Sequence, residues 1–281
     1  MGKRKPHLAG RPPKKTVDAE GEQEQGTVFF YMPKEKPYGV FCQWHISPFS
    51  VPVASLQWLV DMAPSPPPPP TQSSPSSKPP NIEPSPPPPT PSTILSTYAT
   101  ITTSSNPSIS FTCAEQSYMF CKALYFSDAN TARLILSTPD PKTQKKHGQK
   151  VKNFNFHQWG QVKNRVARVG NWYKYTDGCG NGKGGGNRHM RSLLLGTQGR
   201  ELAEAGRRDR IWGIGYKADE ADLYREFWGE NLLGECLMNA RDRIIKFGKR
   251  SLEETVDWEW DGSLEEEEVC QWPVGVQVPE E

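Results

Sequence analysis

The pattern of apolar and polar positions changes character along the chain. Short apolar stretches between residues 27 and 53, VFFYM and YGVFCQWHISPFSV, predict strands with a turn at Ser47-Pro48. From Ser110 onwards apolar residues recur mainly at helical spacing. The pattern therefore predicts an α+β fold, predominantly α-helical, with a small β-sheet built from residues 27–53 and 107–112.

The second half of the chain carries the helical pattern in successive segments. They are AEQSYMFCKALYF, DANTARLILST with Asp128 as N-cap, PKTQKKHGQKV, FHQWGQVKNRVARVGNWYKY and NRHMRSLLLGTQGRELAEA. A last helix, NLLGECLMNARDRIIKF, is expected to end near Gly248. The glycine-rich run at 178–186 lacks the GxxxxGK[ST] signature of a phosphate loop and is predicted to be a flexible loop.

Proline content divides the chain further. Residues 64–91 contain 15 prolines in 28 positions, which predicts an extended polyproline II segment that joins no core. We expect a disordered proline-rich insertion at 64–106 within a domain at 27–248. The insertion is either a ligand for SH3 or WW modules or a tolerated surface loop. Residues 1–26 are predicted to be a disordered basic arm and 249–281 a disordered acidic tail.

The net charge of +2 conceals a division between a basic body and an acidic end. The first 250 residues hold 34 basic and 21 acidic side chains, whereas 251–281 hold eleven acidic side chains and no Lys or Arg. A basic body favours anionic ligands such as a nucleotide or nucleic acid.

Several classes of protein are not expected. No apolar stretch is long enough to span a membrane, and the first residues lack the apolar core of a secretory signal. The six cysteines form no CxxC pair and the five histidines are scattered, so we expect reduced thiols and no metal site. The expected location is cytoplasmic or nuclear. Lys3-Arg4-Lys5 is either a nuclear-import signal or an ordinary solvated basic stretch.

Three short segments hold the candidate site residues. On a helix, Glu115, Tyr118 and Lys122 share one face, which is either a site or a surface salt-bridge face. In the second segment, Arg207, Arg208 and Arg210 surround Asp209 and favour its ionised form, and Trp212, Gly213 and Gly215 follow in a tight loop. In the third, Asn231 is a candidate cap for the last helix, and Gly234 lets a backbone or phosphate approach.

Together with Trp159 and Lys174, these segments resemble the NADAR, or YbiA-like, family, and the second half is most similar to fungal members. The resemblance covers roughly residues 28–247 apart from the insertion. Its motifs are SPFSVPVASLQWL, CAEQSYMFCKALYF, GNWYKYT, RELAEAGRRDRIWGIG and WGENLLGECLMNARDRI, all in the same order. Matching several motifs in one order is far more specific than matching one.

The resemblance implies a YbiA-like fold and an N-glycosidase that needs no cofactor. Family members hydrolyse a phosphoribosylamino-pyrimidine of the riboflavin pathway, or ADP-ribose attached to guanine. The family's motif residues fall on Glu115, Lys122, Trp159, Lys174, Asp209 and Trp212. The chain departs from the motifs at Gln116, where many members have His, and at Gly160, where Asp is usual.

These groups suit a reaction that passes through a cationic ribose. We expect Glu115 or Asp209 to activate water and stabilise the cation, and Trp159 and Trp212 to stack on the base. Lys122, Lys174 and one or more of the three arginines are expected to hold phosphate. Two other functions remain open. One is a module that binds ADP-ribose or an NAD derivative without hydrolysis, and the other is an adaptor that uses its arm, insertion and tail for docking.

Overall fold

The computed structural model describes residues 26–65, 88–101, 107–176 and 186–247. The expected basic arm, most of the proline-rich insertion, the glycine-rich run and the acidic tail lie outside these ranges. The α-helices are α1 Gln57–Asp61, α2 Pro91–Tyr98, α3 Ala114–Tyr125, α4 Ala129–Leu136, α5 Pro141–Gly148, α6 Phe156–Thr176, α7 Gly186–Leu195, α8 Ala218–Ala221 and α9 Leu232–Phe247. Short 3-10 helices cover Tyr38–Phe41, Val53–Leu56 and Asp222–Phe227.

The strands form two small sheets. They are β1 Val28–Phe30, β2 Phe49–Pro52, β3 Thr100–Ile101, β4 Pro107–Phe111 and β5 Leu202–Glu204. β1 and β5 pair in parallel with Phe30 opposite Glu204, and an antiparallel sheet has the order β2-β4-β3. The predominantly helical α+β architecture predicted from the sequence is confirmed.

Helix α3 is the centre of the fold. It packs against α4, α5 and α6, and α6 in turn packs against α9, which rests on β5. The buried apolar residues of α6 recur three or four positions apart, as in Val162, Val166 and Val169, and so form one continuous stripe. The predicted cap of α4 is present, since the Asp128 carboxylate accepts a hydrogen bond from the Thr131 N–H at 3.1 Å.

Three local predictions differ from the structure. Residues 38–41 form a 3-10 helix instead of part of a strand. Part of the expected insertion is folded, because α2 buries Ile94 and Leu95 in the core and β3 pairs with β4. The helical pattern expected up to Ala205 ends at Leu195, and β5 follows it. In the described ranges, no helix combines the length and apolar character needed to cross a bilayer.

Candidate active site

A cavity of about 350 Å³ opens where α3, α5 and the loops after β1 and β5 meet. Its lining comes from distant parts of the chain: Tyr31, Met32, Cys42, Gln43, Trp44, Glu115, Tyr118, Met119, Lys145, Glu204, Gly206, Arg208, Asp209, Trp212 and Leu233. The cavity therefore brings together Glu115 and Asp209, the two acidic residues expected to carry chemistry. Tyr118, Arg208 and Trp212 lie there too.

Glu115 lies in the first turn of α3 and is 6% exposed. Its backbone N–H donates to the Gln43 carbonyl at 3.1 Å, and the Trp44 side chain donates a hydrogen bond to its carboxyl. The carboxyl oxygen Oε1 has no hydrogen-bond partner among the described residues. Burial raises the pKa of Glu115 to about 7, with a smaller opposing effect from Lys145. Glu115 can therefore exchange a proton near neutral pH.

Asp209 closes the turn that follows β5. Its Oδ1 accepts hydrogen bonds from the backbone N–H groups of Ile211 at 3.0 Å and Trp212 at 2.8 Å. These bonds fix both the carboxylate and the neighbouring indole at the cavity wall. Of the three arginines near Asp209 in the sequence, Arg210 donates its guanidinium hydrogen bonds to the carbonyls of Phe227 and Trp228.

The sequence reasoning missed two charged residues of the cavity, Glu204 and Lys145. Glu204 is the last residue of β5, and burial together with the charge of Asp209 raises its pKa to about 7. The Lys145 ammonium lies 5.8 Å from the centre of the Trp44 ring and lowers the pKa of both glutamates. A signal for Glu204 was present, since it lies within the motif RELAEAGRRDRIWGIG. Nothing in the sequence distinguished Lys145 from its neighbouring lysines.

Aromatic rings form much of the cavity wall. Tyr118 packs edge-on against Trp212 with ring centres 5.1 Å apart. Tyr31, after β1, and Trp44, after the 3-10 helix Tyr38–Phe41, also line the cavity. Trp159 does not line the cavity. Its indole N–H donates to the Tyr118 hydroxyl at 3.0 Å, and its ring packs against Tyr125 and Phe126. Trp159 therefore supports Tyr118, and its ring does not line the cavity in which a base was expected to stack on it.

A second cavity of about 510 Å³ adjoins the first and shares Tyr31 and Arg208 with it. Arg207 and Lys217 supply further positive charge, while Phe29, Phe30 and Ala205 supply apolar surface. One carboxyl, that of Glu35, also lines it and accepts a hydrogen bond from the Met32 N–H at 3.1 Å. Two of the three arginines expected to hold phosphate thus face a cationic cavity beside the carboxyls.

The two lysines expected to hold phosphate lie elsewhere. The fully buried Lys174 ammonium donates to the carbonyls of Val40 at 2.8 Å and Cys42 at 3.2 Å. Burial lowers its pKa to about 8. Lys174 thus anchors the segment that precedes Gln43 and Trp44. Lys122 lies one turn beyond Tyr118 on α3, with its ammonium 3.9 Å from the centre of the Phe154 ring.

The remaining predicted binding residues are structural in this arrangement. A Cβ at Gly213 would lie 2.6 Å from the Glu204 carbonyl oxygen, and one at Gly234 would collide with the Leu202 carbonyl. Gly215 has a φ of +78° and lies against the Arg210 side chain. Asn231 does not cap α9 with its side chain, which instead bonds to the backbone of β5. Gly234 does serve close approach, but of a backbone.

No group of three or more His, Cys, Asp or Glu side chains in the described residues is arranged to hold a metal ion. The Cys42 thiol lines the cavity, and burial raises its pKa to about 11, so it is neutral at physiological pH. The chemistry available in the cavity is therefore that of carboxyl groups, aromatic faces and cations.

Comparison with known proteins decides the family. The sequence profile of the NADAR domain matches residues 85–245, which is more than half of the chain. The chain belongs to the NADAR domain family. All the carboxyls that line the cavity, Glu115, Glu204 and Asp209, fall within the NADAR match. Residues 28–30, which lie before it, pair with β5 inside it.

Two curated relatives cover similar parts of the chain. The protein irg-1 of Caenorhabditis elegans is 33% identical over 140 residues, which are 48% of this chain and 62% of that protein. The N-glycosidase R617 of Acanthamoeba polyphaga mimivirus is 33% identical over 134 residues, 47% of this chain and 74% of the viral protein. The chain thus spans less than two thirds of the nematode relative.

The chain is also similar to a solved structure. It is the NMR structure of the E. coli protein YbiA, which is 17% identical to this chain. The match covers 83% of this chain and 89% of that one, with a TM-score of 0.45.

Proposed function

We propose that the chain is an N-glycosidase, a hydrolase that cleaves the bond between a ribose carrying phosphate and a nitrogenous base. The main support for this proposal is that Glu115 and Asp209 line one cavity together with aromatic side chains and a cation. The name of the mimivirus relative, N-glycosidase R617, supports the same activity. Hydrolysis of such a bond needs a carboxylate near the anomeric carbon and a flat surface for the base.

In this proposal Glu115 takes a proton from the attacking water. A pKa of about 7 leaves a large fraction of its carboxyl ionised at neutral pH, which suits a general base. Asp209 stabilises the positive charge that develops on the ribose, because two backbone N–H groups hold its carboxylate in place at the wall. Trp212 and Trp44 offer the faces on which the base stacks.

The substrate that we propose is an ADP-ribosyl base rather than a ribose monophosphate. The second cavity supports this choice, because it places Arg207, Arg208 and Lys217 beside the first cavity, where a second phosphate of an extended substrate would reach. Tyr31 lies between the two cavities and offers a ring to the distal part of the substrate. A monophosphate would leave most of this cationic surface unused.

The test compares wild type, Glu115→Gln and the control Glu226→Gln on two substrates. Glu226 is exposed and lines neither cavity. ADP-ribosylated guanine in DNA and the phosphoribosylamino-pyrimidine are incubated with each protein, and products are read by mass spectrometry. We expect the wild type to release ADP-ribose from the guanine substrate faster than it cleaves the pyrimidine substrate. Glu115→Gln should lose on the order of 10²–10⁴ in rate, and Glu226→Gln should keep the wild-type rate.

A module that only binds gives a different result. The wild type would then bind ADP-ribose in a calorimetric titration but release no product from either substrate, which would overturn the proposal. Turnover by Glu115→Gln close to that of the wild type would remove Glu115 from the mechanism. Preference for the pyrimidine substrate would overturn the ADP-ribosyl assignment and leave the glycosidase standing.

A further inference from the structure

The backbone of Glu204 is hydrogen-bonded at both its N–H and its carbonyl. Its backbone N–H donates to the Asn231 side chain at 3.1 Å. Its carbonyl accepts from the N–H groups of Gly206 at 2.8 Å and Ile214 at 2.9 Å. Catalytic side chains need support from a well-fixed backbone. The hydrogen bonds around β5 fix the backbone from which the Glu204 side chain reaches the cavity.

The Glu204 carboxyl has no structural partner in the described part of the chain, where no hydrogen bond or ion pair engages it. Glu201, three residues earlier, shows the usual arrangement. Its carboxylate accepts from the Thr27 hydroxyl at 2.8 Å and pairs with Arg225 at 2.7 Å. A partly buried acid without a partner destabilises a fold, so its presence needs a reason outside stability.

The charged surroundings favour a protonated Glu204. The titratable and charged groups around the cavity are Tyr31 after β1, Glu115 and Tyr118 on α3, Lys145 on α5, Cys42 after the first 3-10 helix, and Arg208 and Asp209 after β5. The charges of Asp209 and Glu115 and the burial of the group raise the pKa of Glu204, and Lys145 opposes them. The negative charge of Glu115, when it is ionised, favours the protonated form of Glu204.

We propose that Glu204 is the general acid of the reaction and protonates the departing base. This assignment rests on the proposed glycosidase function and fills a role that Glu115 and Asp209 leave open. As the bond between ribose C1′ and the base nitrogen breaks, its electron pair stays on the nitrogen, which takes the proton of Glu204. Water adds to C1′ and gives a proton to Glu115. Proton exchange with solvent then returns Glu204 to its acid form and Glu115 to its carboxylate.

The decisive experiment varies how much the leaving group needs a proton. Guanine departs with a negative charge unless it is protonated, whereas the nicotinamide of NAD departs as a neutral molecule. Wild type, Glu204→Gln and the control Glu201→Gln are assayed on ADP-ribosylated guanine and on NAD. We expect Glu204→Gln to lose on the order of 10²–10⁴ in kcat on the guanine substrate and less than about tenfold on NAD. Glu201→Gln should match the wild type on both.

The pH profile supplies a second reading that does not depend on NAD turnover. An acid must be protonated to act, so wild-type kcat on the guanine substrate should fall as pH rises above about 7. Glu204→Gln should lack this alkaline decline, and Glu204→Asp should restore it with part of the rate. If Glu204→Gln fails to fold by circular dichroism, Glu204→Asp and the wild-type profile decide.

The outcomes separate the two proposals. If the wild type releases no sugar from any substrate, the glycosidase function fails and the role of Glu204 fails with it. If the wild type is active, the Glu204 assignment alone is overturned by any of three results. These are near wild-type turnover of Glu204→Gln, an equal loss on both leaving groups, or an alkaline decline that persists without the carboxyl.

Discussion

Glu115 is a buried acid whose ionised form weakens the fold. It is 6% exposed, and its Oε1 has no hydrogen-bond partner in the described residues. Its pKa is raised to about 7 in the folded protein from the ordinary value of 4.5. Between these two values the folded state binds more protons than the unfolded state, so stability falls as pH rises. The sign is opposite to that of a carboxylate in a salt bridge.

We therefore predict that Glu115→Gln stabilises the protein at alkaline pH relative to the wild type. The free energy of unfolding of the variant, minus that of the wild type, should increase by about 3 kcal/mol between pH 4.5 and pH 8. Urea titrations followed by circular dichroism at several pH values measure this difference. Glu201→Gln is the control, because a surface ion pair contributes at most about 1 kcal/mol. A pH-independent difference for Glu115→Gln would contradict the prediction.

At the scale of residues, the motifs pointed to some of the residues that line the cavity and missed others. Glu115, Tyr118, Asp209 and Trp212 meet in the cavity, as the order of motifs suggested. Lys174 does not, because its ammonium donates to two backbone carbonyls. The sequence does not distinguish a lysine that donates to backbone carbonyls from one that binds phosphate. The difference depends on which backbone carbonyls the fold brings near the ammonium.

The element that organises the site is β5 with the start of α9. Asn231 adopts a φ of +54°, and its side chain acts as a neighbouring strand would. Its Nδ2 donates to the Leu202 carbonyl at 2.8 Å, and its Oδ1 accepts from the Glu204 N–H at 3.1 Å. One side chain therefore forms hydrogen bonds with two backbone groups on the edge of β5 that does not pair with β1. This contact sets where Glu204 stands relative to α9.

We predict that Asn231→Ala destabilises the protein by about 2–4 kcal/mol, because two backbone groups of β5 lose their partners and Ala disfavours a positive φ. Asn231→Gly is the matched variant, since it tolerates the φ but makes no hydrogen bond. Asn231→Gly should be more stable than Asn231→Ala by the cost of placing Ala at a positive φ, and should remain less stable than the wild type. Thermal and urea unfolding measure the stability of both variants. An Asn231→Gly protein as stable as the wild type would show that the two side-chain hydrogen bonds do not contribute to stability.

Elements held by distant partners were the ones that the sequence could not predict. β5 consists of Leu, Ala and Glu, all good helix formers, and it is a strand because it pairs with β1, far away in the chain. α2 follows a proline-rich stretch, and its own Pro91 occupies the first turn, where proline is tolerated. α3 and α6 were predicted correctly because their apolar periodicity is long and local.

At the scale of the whole molecule, core and site occupy the same span of chain. The main hydrophobic cluster runs from Val28 in β1 to Ile244 in α9. The residues that line the two cavities lie between Phe29 and Leu233. Folding and catalysis therefore place their requirements on described residues between 26 and 247. The adaptor hypothesis places its requirements on the arm, the tail and the insertion inside that span. Removal of the arm and the tail tests whether activity depends on either of them.

We predict that a protein of residues 26–247 keeps the hydrolase activity of the full chain within about threefold, because no residue removed contributes to the described core or cavities. A second truncation that ends at Glu230 is the control. It lacks α9, whose Leu233, Leu237 and Ile244 are buried in the core, so it should fail to fold. Kinetics on the guanine substrate and circular dichroism measure both. Loss of turnover in a folded 26–247 protein would place part of the catalytic machinery in the removed segments and contradict a site complete within β1 to α9.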